Sequence, residues 1–590
     1  MSDHETFVDL LQTRAVAHPE RPALIFDADP GLDDGPVRTV TYAELAARAR
    51  QIAALLAGTV RPGDRVLVLN EPGTAFAESF FGVQYAGAVP VPAPLPDGYR
   101  RQRDRLAGIA RDARIAAVLT DGAALGTVRE WAGESGLAEV PCLAFDGIAP
   151  DDGAAWRRPA IDGSSIAFLQ YTSGSTSDPK GVVVDHANLL HNLRVFHKIL
   201  SSGENVRVGG WLPMYHDFGL IGQLLAPLSA GSCSVGMSPT AFLKRPYTWL
   251  RLIDRHDVRI SPAPNFAYDL CTRRVTDEQI AGLDLSRWMH AINGSEPVQA
   301  ATLAAFARRF AAAGLRTETL CPGYGMAEAT LSVSGSPAGT APVVTTVDAD
   351  DLERHIVTPV DDGHPGPVRD LVSSGLSTGD FDVRIVDPAT RRERPPGTIG
   401  EIWLRGPSVA RGYWDRPEAT REVFGNALAT GEGGYLRTGD LGLLDGGELY
   451  VTGRIKELLI VNGRNLYPYD IEAAVRTVHE SLSRGVGAAF TVEVPHEELV
   501  VVQECRARSL DREARAAVVT AIRRLLSTEF GVGAAGVVLV RPGTVPRTTS
   551  GKIQRGLARM LFLSRALDTE HEQLTDAIRA RLRTGDRVRS

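Results

Sequence analysis

Hydrophobic and polar positions follow two periods along this chain. Residues 42–57, from Tyr42 through Ala57, keep an apolar stripe at helical spacing behind Thr41, a hydroxyl residue suited to an N-cap, and so predict a helix. Arg61-Pro62-Gly63-Asp64 breaks that pattern and turns into the strand Arg65-Val66-Leu67-Val68-Leu69. A helix rich in Phe and Ala over 75–87 leads into Val89-Pro90-Val91-Pro92, and 116–120 and 166–170 are further buried strands. Helices and apolar strands in alternation predict α/β layers rather than a helical bundle.

From about 336 to 470 the texture changes to Gly, Pro and short alternating strands such as Phe381–Val386 and Gly400–Leu404, which predicts a β-rich subdomain. Beyond Arg454 helices and strands mix again over enough chain for a separate small α+β domain, with the boundary placed near Lys456. No internal repeat of fixed period is visible.

Composition narrows the function classes. The 590 residues, 44% hydrophobic and 23% charged, have ample material for several cores and are not those of a disordered chain. No run approaches the roughly 18 uncharged apolar residues of a membrane helix, and the acidic start Met1-Ser2-Asp3-His4-Glu5 is unlike a signal peptide, so a cytoplasmic protein with no transmembrane segment is expected. Five scattered cysteines, Cys142, Cys233, Cys271, Cys321 and Cys505, with no CxxC pair, read as small hydrophobes rather than a disulfide or zinc framework. A net charge of −7 gives no pull toward nucleic acid, and the Arg-rich stretches 100–114 and 579–589 read as solvated helix faces. Of 64 basic residues only Lys180, Lys198, Lys244, Lys456 and Lys552 are lysine, which marks them as candidates for a place that needs a compact ammonium on a flexible stem, leftovers of drift being the alternative.

Four motifs carry chemistry. Thr172-Ser173-Gly174-Ser175-Thr176-Ser177-Asp178-Pro179-Lys180-Gly181 follows a strand; its small residues and hydroxyls suit close approach to phosphate oxygens, with Lys180 adding positive charge. It lacks the Gly-Lys-Ser/Thr of a Walker A loop, and a plain Ser/Gly turn remains open for it alone. Gly323-Tyr324-Gly325-Met326-Ala327-Glu328 offers an aromatic face for a base and a carboxylate for Mg2+, which prefers one or two carboxylates plus phosphate oxygens. Tyr435 to Asp440, followed by Gly453-Arg454, pairs an acid and a guanidinium suited to ribose hydroxyls. Thr548-Thr549-Ser550-Gly551-Lys552-Ile553-Gln554-Arg555 places a lone lysine on a glycine turn able to swing into a cleft.

In this order the motifs resemble those of the adenylate-forming (ANL) superfamily of acyl- and aryl-CoA synthetases, adenylation domains and luciferases, over nearly the whole length. Trp211 to Gly222 (WLPMYHDFGLIG), Asn293-Gly294-Ser295-Glu296-Pro297-Val298, Tyr324 to Thr330 (YGMAEAT) and Gly463 to Glu472 (GRNLYPYDIE) are similar to its fatty acyl-AMP ligase branch. The resemblance implies an α/β fold with a large N-terminal region, 1–455, made of two α/β subdomains and a distorted β-barrel, plus a small mobile α+β C-terminal domain, 456–590, hinged near Lys456. It further implies that 336–370 contains the branch's insertion, which packs between the domains; a solvated loop is the alternative for that stretch.

By the same resemblance, Thr172, Ser173, Gly174, Ser175, Thr176 and Lys180 hold the phosphates of ATP, Gly294, Ser295 and Tyr324 the adenine, Asp440 and Arg454 the ribose, and Glu328 the Mg2+. Lys552 bridges the acid and the α-phosphate, and His216 gates the acyl pocket. Two positions depart from the wider superfamily: Ala327 stands where a threonine is usual, and Ile460 where CoA-forming relatives often carry lysine. The implied function is ATP-dependent activation of a medium- or long-chain fatty acid and its transfer to the phosphopantetheine thiol of an acyl carrier protein. A fatty acyl-CoA synthetase of the same fold and a non-catalytic nucleotide or lipid sensor are the rivals.

Overall fold

Thr41 does cap the first of the expected helices. Its Oγ1 accepts the Glu44 N–H at 3.2 Å while the Glu44 carboxylate accepts the Thr41 N–H at 2.8 Å, a reciprocal capping box at the head of Tyr42–Leu56. The buried stripe Tyr42, Leu45, Ala49, Ile52 and Leu56 packs on the helix Thr74–Tyr85. Gly82 permits that contact, since a Cβ there would lie 2.3 Å from Ile52 Cγ2. The computed structural model describes residues 4–586 apart from 33–34, 97–99, 150–152, 155, 173–178, 462–463, 495, 507–509 and 549–550.

Of the strands expected from the sequence, 65–69 and 117–120 lie in a parallel sheet, as expected where helices cover both faces, whereas Ile166–Tyr171 pairs antiparallel with Gly181–Asp185. Val89–Ala93, Arg65–Leu69, Ala117–Thr120 and Cys142–Ala144 form one parallel sheet. Ser234–Gly236, Val208–Gly210, Ile260–Ala263, His290–Asn293 and Leu320–Gly325 form a second parallel run. Its carboxyl edge is where open α/β sheets bind ligands, and there Asn293 runs on into Gly294 and Ser295, while Tyr324 ends the neighbouring strand.

Leu320–Gly325 also joins the antiparallel region. It pairs with Ser332–Gly335, and the path continues through Val368–Ser377, Glu448–Arg454, Leu436–Asp445, Gly400–Arg405 and Asp382–Val386. Residues 336–370 contain a paired strand and a short helix. Val344–Asp348 pairs with the start of Val368–Ser377, and Asp348 caps the helix Ala349–Glu353.

Toward the C-terminus, Gly487–Glu493, Glu497–Glu504, Ala534–Val540 and Thr569–Leu574 build a four-stranded sheet. The helices Pro468–Val475 and Arg512–Glu529 close its core on Leu499, Val501, Ile522 and Val537. Cys233, Cys271, Cys321 and Cys505 are free and buried, as expected, whereas Cys142 is half-buried. Among the described residues no helix is long and apolar enough to cross a membrane.

Candidate active site

Strand register alone assembles one wall of the site. Asp440 and Arg454 are direct cross-strand partners, and Arg454 Nε donates to Asp440 Oδ1 at 2.5 Å. The Tyr324 hydroxyl donates to the other oxygen, Oδ2, at 2.8 Å, so one carboxylate ties the parallel sheet to the antiparallel one. Asp440 holds the Arg454 guanidinium above its ordinary range, and burial beside that carboxylate pushes the Tyr324 phenol well up.

Glu328 follows on the one-turn helix Ala327–Ala329. Its Oε1 accepts the Tyr413 hydroxyl at 2.8 Å, and burial raises its carboxyl above the usual range, which a cation would offset. Tyr413 also presents its ring to Lys180, whose Nζ lies 5.1 Å from the centroid. Its segment is fixed by pairing with the strand Gly181–Asp185, Val183 N–H donating to Gly412 O at 2.9 Å and Trp414 N–H to Gly181 O at 2.7 Å. Thr172 opens the phosphate motif, and its carbonyl accepts Arg105 Nη2 at 2.9 Å. Ser173, Gly174, Ser175 and Thr176 lie outside the described residues.

Lys552 arrives from the C-terminal part of the chain. Thr548 N–H donates to Lys552 O at 2.8 Å, and Lys552 N–H donates back to Thr548 Oγ1 at 3.1 Å. Gly551 at φ +88° turns the chain and lies flat on Phe266; a Cβ there would meet the ring at 2.5 Å. Phe266 is itself oriented by its N–H, which donates to Glu296 Oε1 at 2.6 Å. Burial pulls the Lys552 ammonium below its ordinary range, and Asp217 is the chief charge acting the other way, with Glu296 and Asp440 behind it. Burial raises the carboxyls of Asp217 and Glu296 in turn.

His216 sits on the loop after Trp211, which Gln170 Nε2 anchors by donating to Tyr215 O at 2.9 Å. Burial pushes its imidazole down to about 3, with the charges of Lys552 and Arg105 adding to the effect, so it is neutral at physiological pH. Behind the loop lies a pocket with an apolar wall of Phe196, Leu200, Phe218, Ile292 and Leu331. Asp217, Gly294, Ser295 and Tyr324 line the same pocket. Gly294 is needed there because a Cβ would lie 2.9 Å from Gly323 O.

The structure thus brings Lys552, Asp440, Arg454, Tyr324 and Glu328 together, with Lys180 linked through Tyr413. Sequence reasoning missed Tyr413, an aromatic in a Gly-containing loop with no periodic signal. It also gave Arg105 to a solvated helix face. That helix, Arg100–Ala113, is present, but Arg105 bonds to the phosphate motif.

Comparisons with known proteins identify the family. The family model described as AMP-binding enzyme matches residues 11–414, and one described as Disco-interacting protein 2-like, AMP domain, matches 456–572. The chain is 41% identical to the medium-chain-fatty-acid–[acyl-carrier-protein] ligase JamA of Moorena producens (strain JHB), over 96% of each protein. It is 38% identical to the long-chain-fatty-acid–AMP ligase FadD26 of Mycobacterium marinum, over 92% of this chain and 95% of that one. Among solved structures, the fatty acyl-adenylate ligase from L. pneumophila in complex with acyl adenylate and pyrophosphate superposes with a TM-score of 0.75 at 36% identity, over 97% of this chain and 98% of that one. A structure from a study of fatty acyl-adenylate ligases of E. coli and L. pneumophila reaches a TM-score of 0.85 at 34% identity, over 95% and 98%. The chain belongs to the AMP-binding enzymes of the adenylate-forming superfamily, on the fatty acyl-AMP ligase branch.

Proposed function

We propose that this enzyme activates a medium- or long-chain fatty acid with ATP, releasing pyrophosphate, and passes the acyl group from acyl-AMP to the phosphopantetheine thiol of an acyl carrier protein. The observation that carries this is the meeting of Lys552 with Asp440 and Arg454, which hold Tyr324 on the wall of a pocket with an apolar side. The fatty carboxylate attacks the α-phosphorus, an O–P bond forms, and the bond to the β-phosphate oxygen breaks. Two anions are driven together, so the residues act by neutralising charge and aligning oxygens rather than by forming a covalent intermediate.

In this reading Asp440 takes the ribose hydroxyls, held in place by Arg454 and Tyr324. Gly294, Ser295 and the Tyr324 ring frame the adenine. Thr172, Lys180 and the Ser/Gly residues 173–176 take the phosphates, and Lys552 spans the acid and the α-phosphate. Neutral His216 borders the acyl pocket without adding charge to it. Glu328, a half-buried carboxylate whose Oε1 accepts the Tyr413 hydroxyl, fits the hard-oxygen preference of Mg2+. When bound, that ion supplies charge neutralisation at the phosphates.

Residues 456–590 act as the mobile unit, turning about Lys456 so that Lys552 withdraws and the thiol enters. Contacts of the 336–370 stretch favour carrier protein over free CoA. Glu353 takes Arg464 through a two-pronged pair at 2.5 and 2.7 Å. Arg369 lies 4.6 and 5.0 Å from the ring centroids of Tyr467 and Tyr469 and pairs with Asp470 at 2.7 Å. These contacts restrain the rotation that CoA transfer needs. The test is mass spectrometry after incubation with ATP, Mg2+ and a panel of fatty acids, with CoA or with a phosphopantetheinylated carrier protein. Acyl-AMP that persists with CoA and is discharged by the carrier protein is expected. Rapid acyl-CoA formation would support the synthetase instead, and absence of pyrophosphate release would support a sensor.

A further inference from the structure

Thr330, two residues after Glu328, is the centre of a three-residue turn of a rare kind. Its φ of +68° and ψ of −64°, with Leu331 N–H donating to Ala329 O at 2.9 Å, define a classic γ-turn. A β-branched residue at positive φ is strained and persists only when its surroundings over-determine it.

The over-determination comes from one buried amide on the helix His186–Leu200. Asn192 Nδ2 donates to Ala329 O at 3.3 Å and to Ser332 O at 2.9 Å, and its Oδ1 accepts the Ser332 N–H at 2.9 Å. It therefore brackets the turn from both sides and is fully buried while doing so. Neighbours on the same helical face hold a second segment. Asn188 Nδ2 donates to Pro407 O at 2.8 Å and Val409 O at 3.1 Å, and His191 Nδ1 lies 2.7 Å from Ser408 Oγ. That segment closes the ring, since Thr330 Oγ1 donates to Ser408 O at 2.7 Å and Ala410 N–H to Glu328 O at 2.9 Å.

We propose that Asn192 is a positioning residue: by clamping the strained turn at Thr330 it holds the Glu328 carboxylate where the adenylation step needs it. This rests on the reading of Glu328 given above. Asn192 touches no substrate in this scheme. Its removal lets the turn relax and carries Glu328 off its position, and misplacement of this kind costs on the order of 10- to 100-fold in rate.

The experiment compares Asn192→Ala, Asn192→Ala/Thr330→Gly and Glu328→Gln. Glycine occupies positive φ without strain, so Thr330→Gly relieves the need for the clamp. For Asn192→Ala, kcat of pyrophosphate release should fall about 10- to 100-fold. Affinity for a non-reactive acyl-sulfamoyl adenosine should stay within about threefold, and Mn2+ binding in the presence of ATP, read by electron paramagnetic resonance, should weaken about tenfold. The double variant should regain part of both losses, the remainder reflecting the Thr330 Oγ1 bond to Ser408 O that glycine also removes. Full activity of Asn192→Ala beside an inactive Glu328→Gln would overturn the inference alone. So would a loss of acyl-sulfamoyl adenosine binding in parallel with kcat, unrelieved by Thr330→Gly. Full activity of Glu328→Gln would overturn the assignment of Glu328 and the inference with it.

Discussion

Asp440 and Lys552 face the same cleft, yet they are supported in opposite ways. Asp440 is buried on a strand between two neighbours, fixed by register to Arg454 and by a hydroxyl to Tyr324. Lys552 hangs on a short turn that meets the sheet domain through Gly551 against the Phe266 ring. In the proposed cycle a nucleotide frame built into sheets would keep its geometry, whereas a charge carried on a turn could be delivered and withdrawn. The difference fits a reaction in which the same cleft first assembles two anions and then admits a thiol.

The comparison is broken most severely at the lysine. Lys552→Ala should lower pyrophosphate release on the order of 10²-fold or more while leaving the melting temperature unchanged, because one lost transition-state donor is costly and a turn lysine adds little stability. Near-normal release would remove Lys552 from the chemistry. Gly551→Ala attacks the delivery instead. The added Cβ meets Phe266 at a strained φ, so adenylation should fall about tenfold with ATP binding retained, and Phe266→Ala in the same chain should recover part of the loss.

The restraint on rotation is a smaller lever. Glu353→Ala with Arg369→Ala removes the two side-chain pairings described above between the 336–370 stretch and the C-terminal part, and CoA-dependent discharge of acyl-AMP should rise about three- to tenfold. An unchanged rate would place acceptor selection elsewhere.

The smallest effect tests the rigid frame by pH. Burial pushes His186, whose Nδ1 accepts the Phe7 N–H, down from 6.5 to about 4. The unfolded chain therefore binds more protons between those values, so stability is complete above pH 6.5 and falls as pH drops toward 4. By pH 5.5 this histidine should account for about 1 kcal/mol, visible as a lower melting temperature that His186→Asn flattens.

Much of the fold was legible from local pattern. The stripe behind Thr41, the apolar strand at 65–69 and the alternation at 382–386 each specify their element through periodicity and capping, which depend only on neighbours in sequence. The candidate site was legible as motifs as well, because short runs of Gly, hydroxyls, acid and lysine around Thr172, Glu328, Asp440 and Lys552 suit phosphate and carboxylate chemistry, and the proposed function rests on them. The 336–370 stretch was legible as a boundary in texture, but its packing between the domains was expected only through the family resemblance, since its partners Arg464 and Asp470 are about a hundred residues away.

What only the tertiary structure decided is which groups meet without a motif to announce them. Tyr413 reaches Glu328 across 85 residues and Arg105 reaches Thr172 across 67, while Asn192 brackets a turn 140 residues on. Each is an ordinary helix or loop residue by composition. A hydrogen bond between distant segments is set by how sheets stack and helices dock, and that depends on the burial of many apolar side chains at once rather than on the spacing of a few polar ones.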